Sequence, residues 1–81
     1  MSNVVQQCKK LGITTGDTIQ GREEYGDGWN EARLTLLWLG AETAVWSVAT
    51  RNDRQPRWQQ QGEESNWTLD CRDWRKVQPN A

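Results

Sequence analysis

Apolar and polar residues alternate most clearly between Arg33 and Thr50, RLTLLWLGAETAVWSVAT. Leu34, Leu36 and Trp38 fall on one side, and Arg33, Thr35, Leu37 and Leu39 on the other. Beyond Gly40-Ala41-Glu42, Ala44, Trp46 and Val48 alternate against Thr43, Val45, Ser47 and Ala49. A period of two, rich in β-branched and aromatic residues, predicts two strands, and the Gly-containing step predicts the turn between them. The register expected for this hairpin sets Trp38 opposite Trp46 and Leu36 opposite Val48. Both indoles then share the inward face, and the hairpin forms the core.

The pattern changes on either side. In residues 1–12, MSNVVQQCKKLG, Val4, Val5, Cys8 and Leu11 follow one helical stripe, with Ser2 or Asn3 as cap. Lys9 and Lys10 suit the last turn, and Gly12 suits a left-handed end. Such a helix needs a sheet to pack on. After the Gly16-Asp17 turn, Thr18 to Arg22 predicts a first strand with Ile19 inward. Glu23 to Asn30, EEYGDGWN, predicts a loop, with Gly26 and Gly28 around Asp27 and with Tyr25 and Trp29 bracketing them. Arg51 to Ser65 has no periodicity, contains Pro56 and Trp58, and predicts a long polar loop. Asn66 to Cys71 predicts a strand with Trp67, Leu69 and Cys71 inward. Arg75-Lys76-Val77 predicts a last short strand, and 78–81 a frayed tail. The expected architecture is one domain over 1–81, mainly β (α+β). It is a small, strongly bent antiparallel sheet or SH3-like barrel of about five strands over 16–77, with a short N-terminal helix packed at one end.

Composition limits that core. The chain has 81 residues, six Trp and no Phe, and its mean hydropathy is −0.97. A Trp buries on the order of 150–250 Å², so the six Trp compensate for a thin apolar content, with Trp38, Trp46 and Trp67 expected in the core. The outward apolar residues Leu37, Leu39 and Val45 are the expected interface of a homo-oligomer. No run of the chain approaches the ~20 apolar residues that cross a membrane, and residues 1–12 lack the apolar centre of a signal peptide. A cytosolic protein with Cys8 and Cys71 reduced is expected, with a bridge between them the minor alternative.

Charge and reactive groups point to binding rather than catalysis. The net charge is −1, which argues against a nucleic-acid binder. Locally, Asp17, Glu23, Glu24, Asp27 and Glu31 stand against Arg22 alone, while Arg51, Arg54 and Arg57 stand against Asp53. Histidine is absent, and with it go the commonest general base and metal ligand. No nucleophile elbow, phosphate loop, dinucleotide fingerprint or calcium-loop spacing occurs. No enzyme, cofactor or metal is expected. Tyr25, Trp29, Trp58 and Trp74 have the chemistry to stack on a planar ligand, with Asn30 beside Trp29. Arg51, Arg54, Arg57 and Arg75 have forked guanidiniums suited to phosphates. The bland alternative for Trp29, Trp58 and Trp74 is that they plug the ends of a small barrel.

The stretches GDTIQG (16–21), GDGWN (26–30), LTLLWLG (34–40) and WTLDCRDWRKV (67–77) resemble small accessory proteins of tailed bacteriophages. Gly28-Trp29-Asn30, and Asp73-Trp74 with Val77, are similar to the phage anti-Thoeris proteins that sequester cyclic ADP-ribose-type signals. The Arg-rich segment 51–65 departs from that pattern. The resemblance implies a phage protein in the host cytosol that antagonises a host immune system by binding, either sequestering a nucleotide signal or occluding a host protein. The alternatives are an SH3-like nucleic-acid- or peptide-binding module of phage replication or transcription, and a minor structural protein of the virion.

Overall fold

The computed structural model describes residues 4–65, 69 and 73–77. Helix α1 (Val4–Leu11) is followed by β1 (Thr18–Tyr25), β2 (Gly28–Leu39), β3 (Ala44–Asn52), β4 (Gln59–Ser65) and β5 (Arg75–Val77). The strands form one antiparallel sheet in the order β4-β3-β2-β1-β5. The fold is therefore mainly β with a short N-terminal helix, as the alternation predicts. The sheet is open rather than closed into a barrel, because β4 and β5 stand at opposite ends of the order and do not pair.

One face of the sheet is the core. Ile19, Ala32, Leu34, Leu36, Ala44, Trp46 and Val48 are buried there, joined by Val4, Val5 and Cys8 of α1 and by Ile13, Leu69 and Trp74. Leu34 lies opposite Val48, and Leu36 lies opposite Trp46. The Cys8 thiol is wholly buried, and burial raises its pKa.

The expected pairing of Trp38 with Trp46 does not form. A β-bulge between Leu36 and Trp38 makes Leu37 an extra residue, and Trp38 lies opposite Val45 instead. An inserted residue reverses the alternation beyond it. Trp38 thus moves to the outer face, 55% exposed, while Leu39 turns in against the core. The Trp38 indole folds over Gly40 and occupies the place a Cβ would take there.

Helix α1 ends as Gly12 predicts, but Leu11 is not part of its buried stripe. Gly12 has φ 72°. Its N–H reaches Lys9 O at 3.2 Å, and the Ile13 N–H reaches Cys8 O at 2.9 Å. This pair of bonds is the Schellman arrangement. The reversal brings Ile13 onto the core and leaves Leu11 42% exposed. At the following turn Asp17 accepts the Thr14 N–H at 2.8 Å and Lys76 Nζ at 3.2 Å. These contacts, the backbone bond first, hold its carboxyl below the ordinary range. Lys76 Nζ also donates to Gly12 O at 3.2 Å, and the Leu69 N–H donates to Gln7 Oε1 at 3.1 Å. The late part of the chain is thereby tied to α1.

Two expected loops are largely strand. Glu23–Asn30 is the end of β1, a two-residue turn at Gly26-Asp27 and the start of β2, with Tyr25 opposite Gly28. The segment 51–65 shrinks to a connection over 53–58, because β3 runs to Asn52 and Gln59–Ser65 is β4. All seven β4 residues are exposed, so no apolar period marks them. The strand forms by backbone pairing with β3, supported by Gln60 Nε2 donating to Ser47 Oγ and Val48 O, both at 3.0 Å. Of the strand expected over 66–71, only Leu69 lies within the described residues. It is buried and outside any strand. The helix cap at Ser2 or Asn3, Trp67, Cys71, Arg72 and the tail 78–81 lie outside the described residues.

Candidate functional site

The face opposite the core carries the chemistry. Period two and the observed registers put Gln20, Arg33 and Ala49 in one cross-strand row and Arg22, Glu31 and Arg51 in the next. Trp29 follows along β2, opposite Glu24. Trp58 reaches this face from the connection before β4.

Guanidiniums and indoles interleave there. The Arg22 guanidinium carbon lies 4.2 Å from the Trp29 ring centroid, and that of Arg51 lies 5.7 Å from it. Arg51 is also 4.6 Å from the Trp58 ring, and Arg33 is 4.5 Å from it. The order is Arg22, Trp29, Arg51, Trp58, Arg33, with Arg51 shared by both rings. Cation–π contacts of this kind contribute about 0.5–1 kcal/mol each when exposed.

Glu31 anchors the layer. It is 6% exposed, accepts Arg51 Nε at 2.6 Å and accepts Gln20 Nε2 at 2.6 Å. The same Gln20 accepts Arg33 Nη2 at 2.8 Å through Oε1. Burial pushes the Glu31 carboxyl up, but the bonds from Gln20 and Arg51 and the charges of Arg51 and Arg22 outweigh it. The net pKa is lowered, and the group stays ionised beside its cations.

Two clefts border this layer. One, of about 490 Å³, lies between the Arg22–Glu24 and Asp73–Arg75 pairs, with Gln20 and Glu31 on its wall. The second, of about 290 Å³, lies at the β1–β2 tip among Tyr25, Gly28, Trp29, Asn30, Asp53 and Arg54. Asn30 Nδ2 donates to the Tyr25 hydroxyl. Asn52 Oδ1 accepts the N–H groups of Arg54 and Gln55 and shapes the β3–β4 connection. A Cβ on Gly28 would stand 2.9 Å from Asp53 Oδ1, so the glycine leaves room for that carboxylate.

The residues expected to bind a ligand therefore divide. Trp29, Arg51 and Trp58 converge in the interleaved layer, and Tyr25, Asn30 and Arg54 gather at the tip. Arg57 is exposed on the connection, and Arg75 faces the larger cleft beside Asp73, 3.4 Å away. Trp74 is not at a surface: it is 7% exposed and belongs to the core. Of the residues expected at an oligomer interface, Leu37 is exposed, Val45 is half-buried on the outer face, and Leu39 packs inward. Gln20, Arg22, Glu31 and Arg33 are not among the binding residues expected from sequence, where Arg22 and Glu31 enter only a local charge balance. Their signal is alternation of charge along β1 and β2, which reads equally well as a solvated face.

Among the described residues no group of three or more His, Cys, Asp or Glu side chains is placed to hold a metal ion. No described helix is long and apolar enough to cross a membrane. Comparison of the chain with protein-family models, with curated proteins and with solved structures finds no match.

Proposed function

We propose that this is a non-enzymatic binding protein of a tailed phage that antagonises a host immune system by occluding a host protein with its outer sheet face. The phage setting rests on the sequence resemblance, and the mode of action on the geometry. One observation carries the choice of a protein partner. The indoles of Trp29 and Trp58 are already engaged by guanidiniums, and Arg51 is committed to Glu31 at 2.6 Å. A preformed Arg–Trp layer of this kind offers a flat protein partner the residue types that dominate binding energies, at little ordering cost. It offers a nucleotide few free ring faces and fewer free cations.

The test is affinity capture from bacterial lysate with the wild-type chain, Trp58→Ala and the remote Lys10→Gln, exposed on α1. A host protein retained by wild type and Lys10→Gln and lost with Trp58→Ala supports the reading. Equal retention by all three, or capture of nothing specific, overturns it.

A second reading, sequestration of a nucleotide signal in the host cytosol, is favoured by the tip cleft. Tyr25 and Trp29 stand there beside Arg54, which is exposed and has no ion pair with a described residue. Cyclic nucleotides at 100 times their Kd raise stability by about 2.7 kcal/mol. A melting shift of that order, abolished by Arg54→Ala, decides for this reading.

A further inference from the structure

The bulge in β2 leaves a feature that the Arg–Trp layer does not use. Leu37 is 41% exposed and Trp38 is 55% exposed, on neighbouring positions of one strand. Val45 lies directly opposite Trp38. These three form an apolar end to the same outer face. Bulges recur where a strand must re-aim a side chain. Here the inserted residue takes an indole out of a core that has need of apolar area and presents it to solvent. The indole is also held in place, since it lies across Gly40, where any larger residue would displace it.

Among the described residues, the charged groups that flank this patch along the turn and β4 are acidic. Glu63 pairs with Ser47, two residues along β3 from Val45 on the same face. Glu42 lies in the β2–β3 turn. Both are exposed and have no ion pair with a described residue. The described cations of the outer face are engaged elsewhere: Arg33 and Arg51 are held by Gln20, Glu31 and Trp58, and Arg22 pairs with Glu24 and Arg75 with Asp73.

From this complementarity we infer that Leu37, Trp38 and Val45 form a docking surface for a cationic segment of a partner protein, one that carries an apolar anchor flanked by Lys or Arg. The indole and Leu37 take the anchor, and Glu42 and Glu63 take the flanking charges. Apolar contact supplies the affinity and the carboxylates select the partner. The inference rests on the reading of the outer face as a partner-binding surface and names the chemistry at its apolar end.

The experiment follows indole N–H resonances of the full chain by NMR while two synthetic peptides are added, one of alternating Leu and Lys and one of alternating Leu and Glu. Trp38→Ala identifies the Trp38 resonance. The Leu–Lys peptide is expected to shift that resonance and to bind more weakly as salt rises, and the Leu–Glu peptide is expected to do neither. Trp38→Ala removes the proposed hot-spot anchor and is expected to lower Leu–Lys affinity by more than about tenfold. Should Trp38→Ala fail to fold by circular dichroism, the Glu42→Lys/Glu63→Lys double variant takes its place and is expected to reverse the peptide preference. Equal response to both peptides, or affinity unchanged in these variants, overturns the inference. So does self-association by sedimentation that Trp38→Ala abolishes, since a second copy, whose exposed Leu11 follows Lys9 and Lys10, is then the occupant. Trp58→Ala is expected to leave peptide binding intact. Loss of the lysate partner without loss of peptide binding, or the converse, therefore separates the two proposals.

Discussion

Arg51 Nε lies 2.6 Å from the carboxylate of Glu31, which is 6% exposed in the middle of an otherwise solvent-facing sheet surface. A buried carboxylate survives there because Gln20 and Arg51 both donate to it. A half-satisfied version of the same group would destabilise the fold. Glu31 therefore fixes where Arg51 lies, and Arg51 in turn spaces the two indoles.

Glu31→Gln removes the charge but not the shape. The expected loss is about 1.5–3 kcal/mol of folding stability at neutral pH, the range for hydrogen bonds to charged groups. Urea unfolding of both proteins checks it.

The same group sets an acid dependence. Its folded pKa is lowered, so its contribution is complete above the unfolded value of about 4.3. That contribution fades as pH falls through the lower folded value. Stability of the wild type is expected to drop in this window more steeply than that of Glu31→Gln. Parallel acid limbs in the two urea–pH series would contradict the assignment.

Trp46 and Trp38 sit eight residues apart and have opposite fates. Trp46 is wholly buried, and Trp46→Ala is expected to cost about 3–5 kcal/mol, enough to unfold a marginal chain of this size. Trp38→Ala removes a mostly exposed ring and is expected to cost less than about 1 kcal/mol. Thermal melts of the two variants test whether the bulge reverses the strand as described.

Gly12→Ala places a side chain in a left-handed position with φ 72°. No atom lies within 4 Å of the added Cβ, so the cost is conformational alone, about 1 kcal/mol. Calorimetry is expected to show a lower melting temperature with an unchanged native fold.

The helix end at Gly12, the β2–β3 hairpin and Ile19 were legible because each rests on a local rule: a left-handed glycine or a period of two. The bulge was not. Leu36, Leu37, Trp38 and Leu39 are all apolar, so the composition fits either register, and the two-sided pattern hides the extra residue. Strand β4 was illegible for a different reason. QQQGEES has no apolar face to bury, and only the backbone edge of β3 makes it a strand. At the candidate site, Trp29, Arg51 and Trp58 were legible as residue types suited to recognition. Their mutual stacking was not, because Trp58 and Arg33 are 25 positions apart and meet only after the meander folds.

Strands β1 to β4 follow one another as a meander, each pairing with the next. Helix α1 and β5 join later in sequence distance: Leu69 bonds to Gln7, and Lys76 to Gly12, across 62 and 64 residues. Pairings between near neighbours cost little loop entropy and form early, whereas distant ones wait. The Arg–Trp layer is thus expected in the fast-forming part of the molecule, together with the wall that Trp46 supplies to the core. On loop entropy, the seal on that core is expected to close last in folding and to open first. Under mild denaturant, amide protons of α1 and β5 should exchange ahead of those in β2 and β3, while the outer face still holds its shape.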